Sequence, residues 1–151
     1  MKHLLLTLLL ILTGCDEEPP AEIPSHLLVK NGGMTFEQGS KKPFTGVSVK
    51  YHENGEPEEK VTFEAGKEIS ETKFIYYENG QLRAKGNYID GKEDGLWESY
   101  YDTGQLMTKE IYKDGITHGL AKGYQEDGTE LSWSPQCYQN GEEVDLSICK
   151  Q

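Results

Sequence analysis

The sequence has little cysteine, little proline, few cations and no apolar run long enough to span a bilayer. Its 151 residues include three cysteines and six prolines, and 15 lysines and arginines stand against 26 acids. The net charge of −11 excludes nucleic acid as a partner, because such binding needs a basic surface that displaces counterions. Anionic lipid surfaces are disfavoured for the same reason. Apolar residues are scarce at 35%, yet nine tyrosines, four phenylalanines and two tryptophans argue against a fully disordered chain. Beyond the first residues no stretch carries an apolar period of 3.6, so helices are not expected. A single domain suits this length. Glycine is what the chain has in excess. Its 17 copies are too many for an ordinary domain and too few for collagen.

Residues 1–14 read as a signal peptide. Met1, Lys2 and His3 give a basic start, and Leu4 to Leu12 is apolar except for Thr7. About 20 apolar residues would be needed to cross the hydrocarbon core, so this is an address rather than a span. The tetrapeptide Leu12-Thr13-Gly14-Cys15 resembles the lipobox of bacterial lipoproteins. The resemblance implies cleavage between Gly14 and Cys15, a diacylglycerol on the Cys15 sulfur and acylation of the new amine. Several acyl chains hold a protein firmly where one would be marginal. The expected location is the bacterial cell envelope, with a lipid anchor in a membrane. Residues 15–26 then form a tether. Asp16, Glu17 and Glu18, with three prolines behind them, favour an extended chain reaching about 30 Å. The folded domain is expected over residues 27–151.

The glycines keep time. Tyr51-His52-Glu53-Asn54-Gly55 superimposes on Tyr76 to Gly80, Tyr100 to Gly104 and Tyr124 to Gly128, at spacings of 25, 24 and 24 residues. A second set lies between them, ending at Gly66, Gly91, Gly115 and Gly141, with Phe63, Tyr88, Tyr112 and Tyr138 at its head. Asn-Gly and Asp-Gly supply the positive φ of tight hairpin turns. The runs between are rich in Tyr, Val, Ile, Thr and Phe, which suits strands. The expectation is therefore an all-β fold, an elongated antiparallel meander of repeated β-hairpins with a period of about 24 residues. Neighbour stacking should stabilise it, since one hairpin buries little.

Two-residue turns throughout would place Tyr101 opposite Leu106 and Tyr77 opposite Leu82. One face would then gather Ile75, Tyr77, Leu82, Ala84, Tyr88, Trp97, Tyr101, Leu106 and Tyr112. The other would carry Tyr51, Tyr76, Tyr100 and Tyr124 beside Arg83, Lys85, Glu98 and Lys109. A one-residue bulge would exchange these assignments.

The pattern carried by Tyr100, Gly104, Leu106, Tyr112, Gly115, Gly119 and Leu120 resembles MORN repeats, and more closely resembles their bacterial variant found in YwqK-like antitoxin-component proteins. The leading segment around Phe36 and Lys42 to Gly46 looks like the N-terminal unit of that family. The resemblance implies MORN-like β-hairpin repeats and a role as antitoxin or immunity-like protein. The first repeat departs from the pattern, with Pro57 at the leucine position and Ser70 at the third glycine. The last repeat has two extra residues near Ser134 and Pro135.

Nothing points to an enzyme. His26, His52 and His118 join no local serine, cysteine or metal-ligand arrangement. The acidic turns at Glu53 and at 90–94 lack the ordered oxygen spacing of a calcium loop, and no cofactor motif is present. Cys137 and Cys149 form an even pair, which in an oxidising compartment suggests a disulfide. Free thiols, a redox pair included, are the alternative. The tyrosine column Tyr51, Tyr76, Tyr100 and Tyr124 is either a face covered by its own side chains or a partner surface, since Tyr and Arg dominate hot spots. The reading overall is a membrane-anchored repeat lipoprotein that binds an unknown protein partner, a toxin within the antitoxin reading. A structural envelope protein that self-associates is the alternative.

Overall fold

The structure, a computed structural model, describes residues 22–150. The expected signal peptide, Gly14, the expected lipid-attachment residue Cys15 and most of the expected tether lie outside the described residues. The strands are β1 (Glu22–Pro24), β2 (Leu28–Asn31), β3 (Met34–Glu37), β4 (Gly46–Tyr51), β5 (Pro57–Glu64), β6 (Lys67–Tyr76), β7 (Leu82–Ile89), β8 (Lys92–Tyr100), β9 (Leu106–Lys113), β10 (Ile116–Thr117), β11 (Gly119–Gly123), β12 (Gln136–Gln139) and β13 (Glu142–Val144). Eleven of them build one sheet in the order β1-β4-β5-β6-β7-β8-β9-β11-β12-β13, with β10 beside β9. From β4 onward every pairing is antiparallel, so the chain is the expected all-β meander. No helix among the described residues is long and apolar enough to cross a membrane.

The two sets of turns differ. At Ala65-Gly66, Asp90-Gly91, Asp114-Gly115 and Asn140-Gly141 both residues have positive φ, giving two-residue hairpin turns of the mirror-image type. At the other set only the glycine does. Tyr77 N–H donates to the Gln81 carbonyl and Gly80 N–H to the Tyr77 carbonyl, and the same pair of bonds recurs at His52, Tyr101 and Gln125. These are three-residue loops, a type I turn closed by a left-handed glycine. The expectation of two-residue turns fails here. A local reason is visible in three of them. Oδ1 of Asn54, Asn79 and Asp127 accepts the N–H two residues on, which fixes an ordinary right-handed turn.

The bulge then lies at each strand end. Tyr76 pairs with Leu82 and Tyr100 with Leu106, whereas Ile75 still pairs with Ala84. Most of the expected face survives inside the strands. Ile75, Ala84 and Ser99 form one row, with Gly86 opposite Trp97 two residues further in. Trp97 meets Tyr88 and Tyr112 edge to face at 5.8 and 6.3 Å. Tyr77 and Tyr101 leave that face and sit in the loops.

The first hairpin has a second layer. β2 and β3 form a separate hairpin rather than a leading repeat of the meander. It is tied to the sheet by Thr35 N–H to the Gly66 carbonyl (2.8 Å) and Phe44 N–H to the Thr35 carbonyl (2.9 Å). Phe44, Val61 and Phe63 are buried beneath it with Ile23 and Leu28 packed against them. The tether expected up to residue 26 ends earlier. Glu22–Pro24 pairs in parallel with Val47 to Val49, and Glu22 reaches Lys60 at 2.8 Å. Proline is tolerated in that strand because it lies at the sheet edge.

The far end is closed covalently. Asn140-Gly141 places Cys137 opposite Val144, and a 3-10 turn over Leu146–Lys150 brings Cys149 back. The Cys137–Cys149 disulfide has a Cα separation of 5.9 Å, and Cys137 is wholly buried. Closing a loop of 12 residues stabilises by about 3 kcal/mol in the loop-entropy picture. Reduction should therefore lower the unfolding free energy by about that amount. Non-reducing mass spectrometry should find neither thiol open to alkylation before a reductant is added.

Candidate partner-binding face

The four tyrosines expected to form a column are Tyr51, Tyr76, Tyr100 and Tyr124. Each closes one of the three-residue loops, pairing with Pro57, Leu82, Leu106 and Glu130 respectively. Alternation along the strands puts them with Val49, Phe74, Glu98 and Lys122, on the face opposite Trp97. Tyr51 is half-exposed at 50%. Tyr76 donates its hydroxyl to the Pro57 carbonyl at 2.8 Å. Burial, and then the nearby Glu56 charge, raise its pKa.

Beside the column runs a row of charges in direct register: Lys85 opposite Glu98, Glu98 opposite Lys109, and Lys109 opposite Lys122. Glu98 takes Lys85 at 2.9 Å, Lys109 at 3.4 Å and the Tyr100 hydroxyl at 3.2 Å. Burial works to raise the Glu98 carboxyl, but the bonds and charge from Lys85, with Tyr100 and Lys109, outweigh it and hold the pKa low. Lys85 Nζ also lies 6.0 Å over the Tyr100 ring. Lys122 has its own partner, Glu130, at 3.1 Å. Lys109 and Lys122, with Ile111, Leu120 and Tyr124, line a hollow of about 290 Å³. The cations here are paired, so the face is close to neutral inside a strongly acidic molecule. Arg83, expected on this face, sits in the bulge with its guanidinium 6.0 Å from the Tyr77 ring.

The loops next to the column are acidic. Glu53, Glu78, Asp102, Glu126 and Asp127 repeat along one rim of the sheet. Sequence reasoning missed how these loops hold together. Tyr77 donates its hydroxyl to the Tyr100 carbonyl at 2.8 Å, and Tyr101 to the Tyr124 carbonyl at 2.9 Å. Each spans 23 residues and ties one repeat to the next. The tyrosine doublets at 76–77 and 100–101 were the available signal. One member faces the column and the other clamps the neighbour.

On the opposite face, Glu59 and Glu71 meet. Their mutual hydrogen bond, then burial, push the Glu59 carboxyl up to about 7. The same bond, with Lys73, lowers Glu71. Glu59 therefore keeps a proton in the fold that it loses near pH 4.5 when unfolded, so the fold loses stability as pH rises from about 4.5 to 7. Glu71 acts oppositely, losing its contribution as pH falls below its ordinary range. Glu59→Gln should retain a donor to Glu71 and abolish the decline. In urea titrations the variant should be the more stable at pH 8 and near wild type at pH 5.

The histidines stay apart. His52 faces the Tyr76 ring, His118 Nδ1 accepts from Asn140 N–H, and His26 offers only its carbonyl, to Gln38. No group of three or more His, Cys, Asp or Glu side chains suited to a metal occurs among the described residues.

Residues 44–65, 72–90 and 93–114 match the family described as MORN repeat variant. The match supports MORN-variant repeats over these three segments. The three matches fall on β4 with β5, β6 with β7, and β8 with β9, so each MORN-variant repeat is one hairpin with its three-residue loop. Neither a curated protein nor a solved structure matches the chain. Such repeats make a repeat-based binding or structural module and are generally non-enzymatic.

Proposed function

We propose that this protein is a membrane-tethered module that binds another protein through the tyrosine column, and that it acts as an antitoxin or immunity-like protein at the bacterial envelope. The observation that carries the reading is a near-neutral tyrosine face beside a rim of acidic loops. Interface cores are enriched in tyrosine and depleted of unpaired charge, and the rim steers approach and register. An acidic rim suits a basic partner. The tether rests on the lipobox-like Leu12 to Cys15, and the antitoxin role on the family resemblance.

Affinity capture of the full chain from its own cells tests this. The expected result is one basic heterologous protein, together with self-poisoning when the gene is deleted. Sedimentation showing concentration-dependent oligomers, with no captured protein, would overturn it in favour of a self-associating envelope component.

A further inference from the structure

The clamps that join successive loops fail at one place. Between the loops at 77–80 and 101–104, the Tyr77 hydroxyl bonds the Tyr100 carbonyl and Asn79 Nδ2 bonds the Asp102 carbonyl at 3.1 Å. Between 101–104 and 125–128, the Tyr101 hydroxyl bonds the Tyr124 carbonyl. In the first loop His52 stands where the clamping tyrosine stands later. Its ring meets Tyr76 edge to face at 5.7 Å instead. Asn54 stands where Asn79 stands, but bonds only within its own loop, to Glu56 N–H. Among the described residues, no hydrogen bond ties the loop at 52–55 to the loop at 77–80. A cleft of about 620 Å³ opens there, lined by His52, Glu53, Asn54, Tyr76, Tyr77 and Glu78 among others.

The lining combines aromatic rings with carboxylates. Glu53 and Glu78 border the cleft, and Glu56 lies close enough to raise the Tyr76 pKa by its charge. Glu56 Oε2 is out of solvent without a hydrogen-bond partner. Against these three acids the nearby cations are already engaged. Arg83 lies over the Tyr77 ring, and Lys50 is bound to Glu58 at 2.6 Å. Rings draw cations over their faces, and a guanidinium adds planar stacking and forked pairing to carboxylates.

We propose that this cleft receives an arginine side chain of the protein partner. The inference rests on the protein-binding reading above and names the chemistry by which that partner is held. The asymmetry has a purpose in this view. Later loops are clamped shut, and the first gap is left open as a socket.

The test titrates the full chain with the capped tripeptide acetyl-Gly-Arg-Gly-amide and follows NMR shifts. Shifts should concentrate at His52, Asn54, Tyr76 and Tyr77, and the citrulline peptide should bind about tenfold more weakly or worse. Glu53→Gln with Glu78→Gln should weaken the arginine peptide by a similar factor, about tenfold. Glu126→Gln with Asp127→Asn, at the last loop, should change nothing. His52→Tyr should restore the clamp, raise the melting temperature and abolish the shifts. Equal shifts at all four acidic loops, or equal binding of the citrulline peptide, would overturn the proposal. The outcome is separable from that of the capture experiment. A captured partner with a silent cleft refutes only the socket, and a cleft that takes arginine with no captured partner refutes only the broader reading.

Discussion

Gly86→Ala is expected to destabilise the fold by about 2–4 kcal/mol, although it adds one methyl group to a strand. A Cβ on Gly86 would fall inside the Trp97 ring, among its Cε3, Cζ3 and Cδ2 atoms. The two residues are register partners, so neither strand can slide to make room. Backbone strain is not the cause, because Gly86 is not among the residues with positive φ. The ring must leave its seat, and with it go the edge-to-face contacts to Tyr88 and Tyr112. In a sheet with one layer over most of its length, nothing else covers that surface. Trp97→Ala should cost about 3–5 kcal/mol by itself. The double variant should cost less than the two single effects added, because both remove one contact. Urea denaturation of the four proteins checks this. Gly123 repeats the device, with a Cβ there colliding with the Trp133 ring and lying 3.0 Å from Leu131 Cδ1.

Replacing Tyr76 and Tyr100 by alanine together is expected to weaken capture of the partner by about 100-fold or more, since buried tyrosines at an interface contribute about 2 kcal/mol or more each. Some stability will be lost as well, because Tyr76 bonds the Pro57 carbonyl and Tyr100 bonds Glu98. The phenylalanine pair separates the two effects. It removes the hydroxyls and keeps the rings, so it should retain most of the affinity. A folded alanine variant that captures the partner normally would remove the column from the interface.

The repeat period and the strands were legible because glycine marks both turn types. What was not legible was the kind of turn. Asn-Gly reads the same whether it makes a two-residue turn, as at Asn140-Gly141, or the end of a three-residue loop, as at Asn79-Gly80. The difference lies in the Asn79 side chain bonding Gln81 N–H, which a dipeptide does not display. The consequence was confined to strand ends. Trp97, Tyr88 and Tyr112 were placed correctly because they sit deeper than the bulge, while Tyr77 and Tyr101 moved into the loops.

Two further features depend on long-range pairing. Gly86 and Gly123 lie within strands and mark no turn, and their reason is the tryptophan ring seated on each. Glu22–Pro24 reads as tether because the prolines and acids from Asp16 to Pro24 suggest an extended chain. It is extended, but as an edge strand held by β4 and by Lys60. The tyrosine column itself was legible from spacing alone. The sequence did not show that its lysines would be paired through Glu98, nor that the first gap between loops would be open.

The most direct test of the account is photo-crosslinking in living cells from a benzophenone amino acid placed at position 100, with position 110, the register partner of Trp97 on the opposite face, as the comparison. The account predicts a crosslink from position 100 to a heterologous, basic protein and none of that product from position 110. Crosslinks only between copies of this chain, or the same product from both faces, would contradict it.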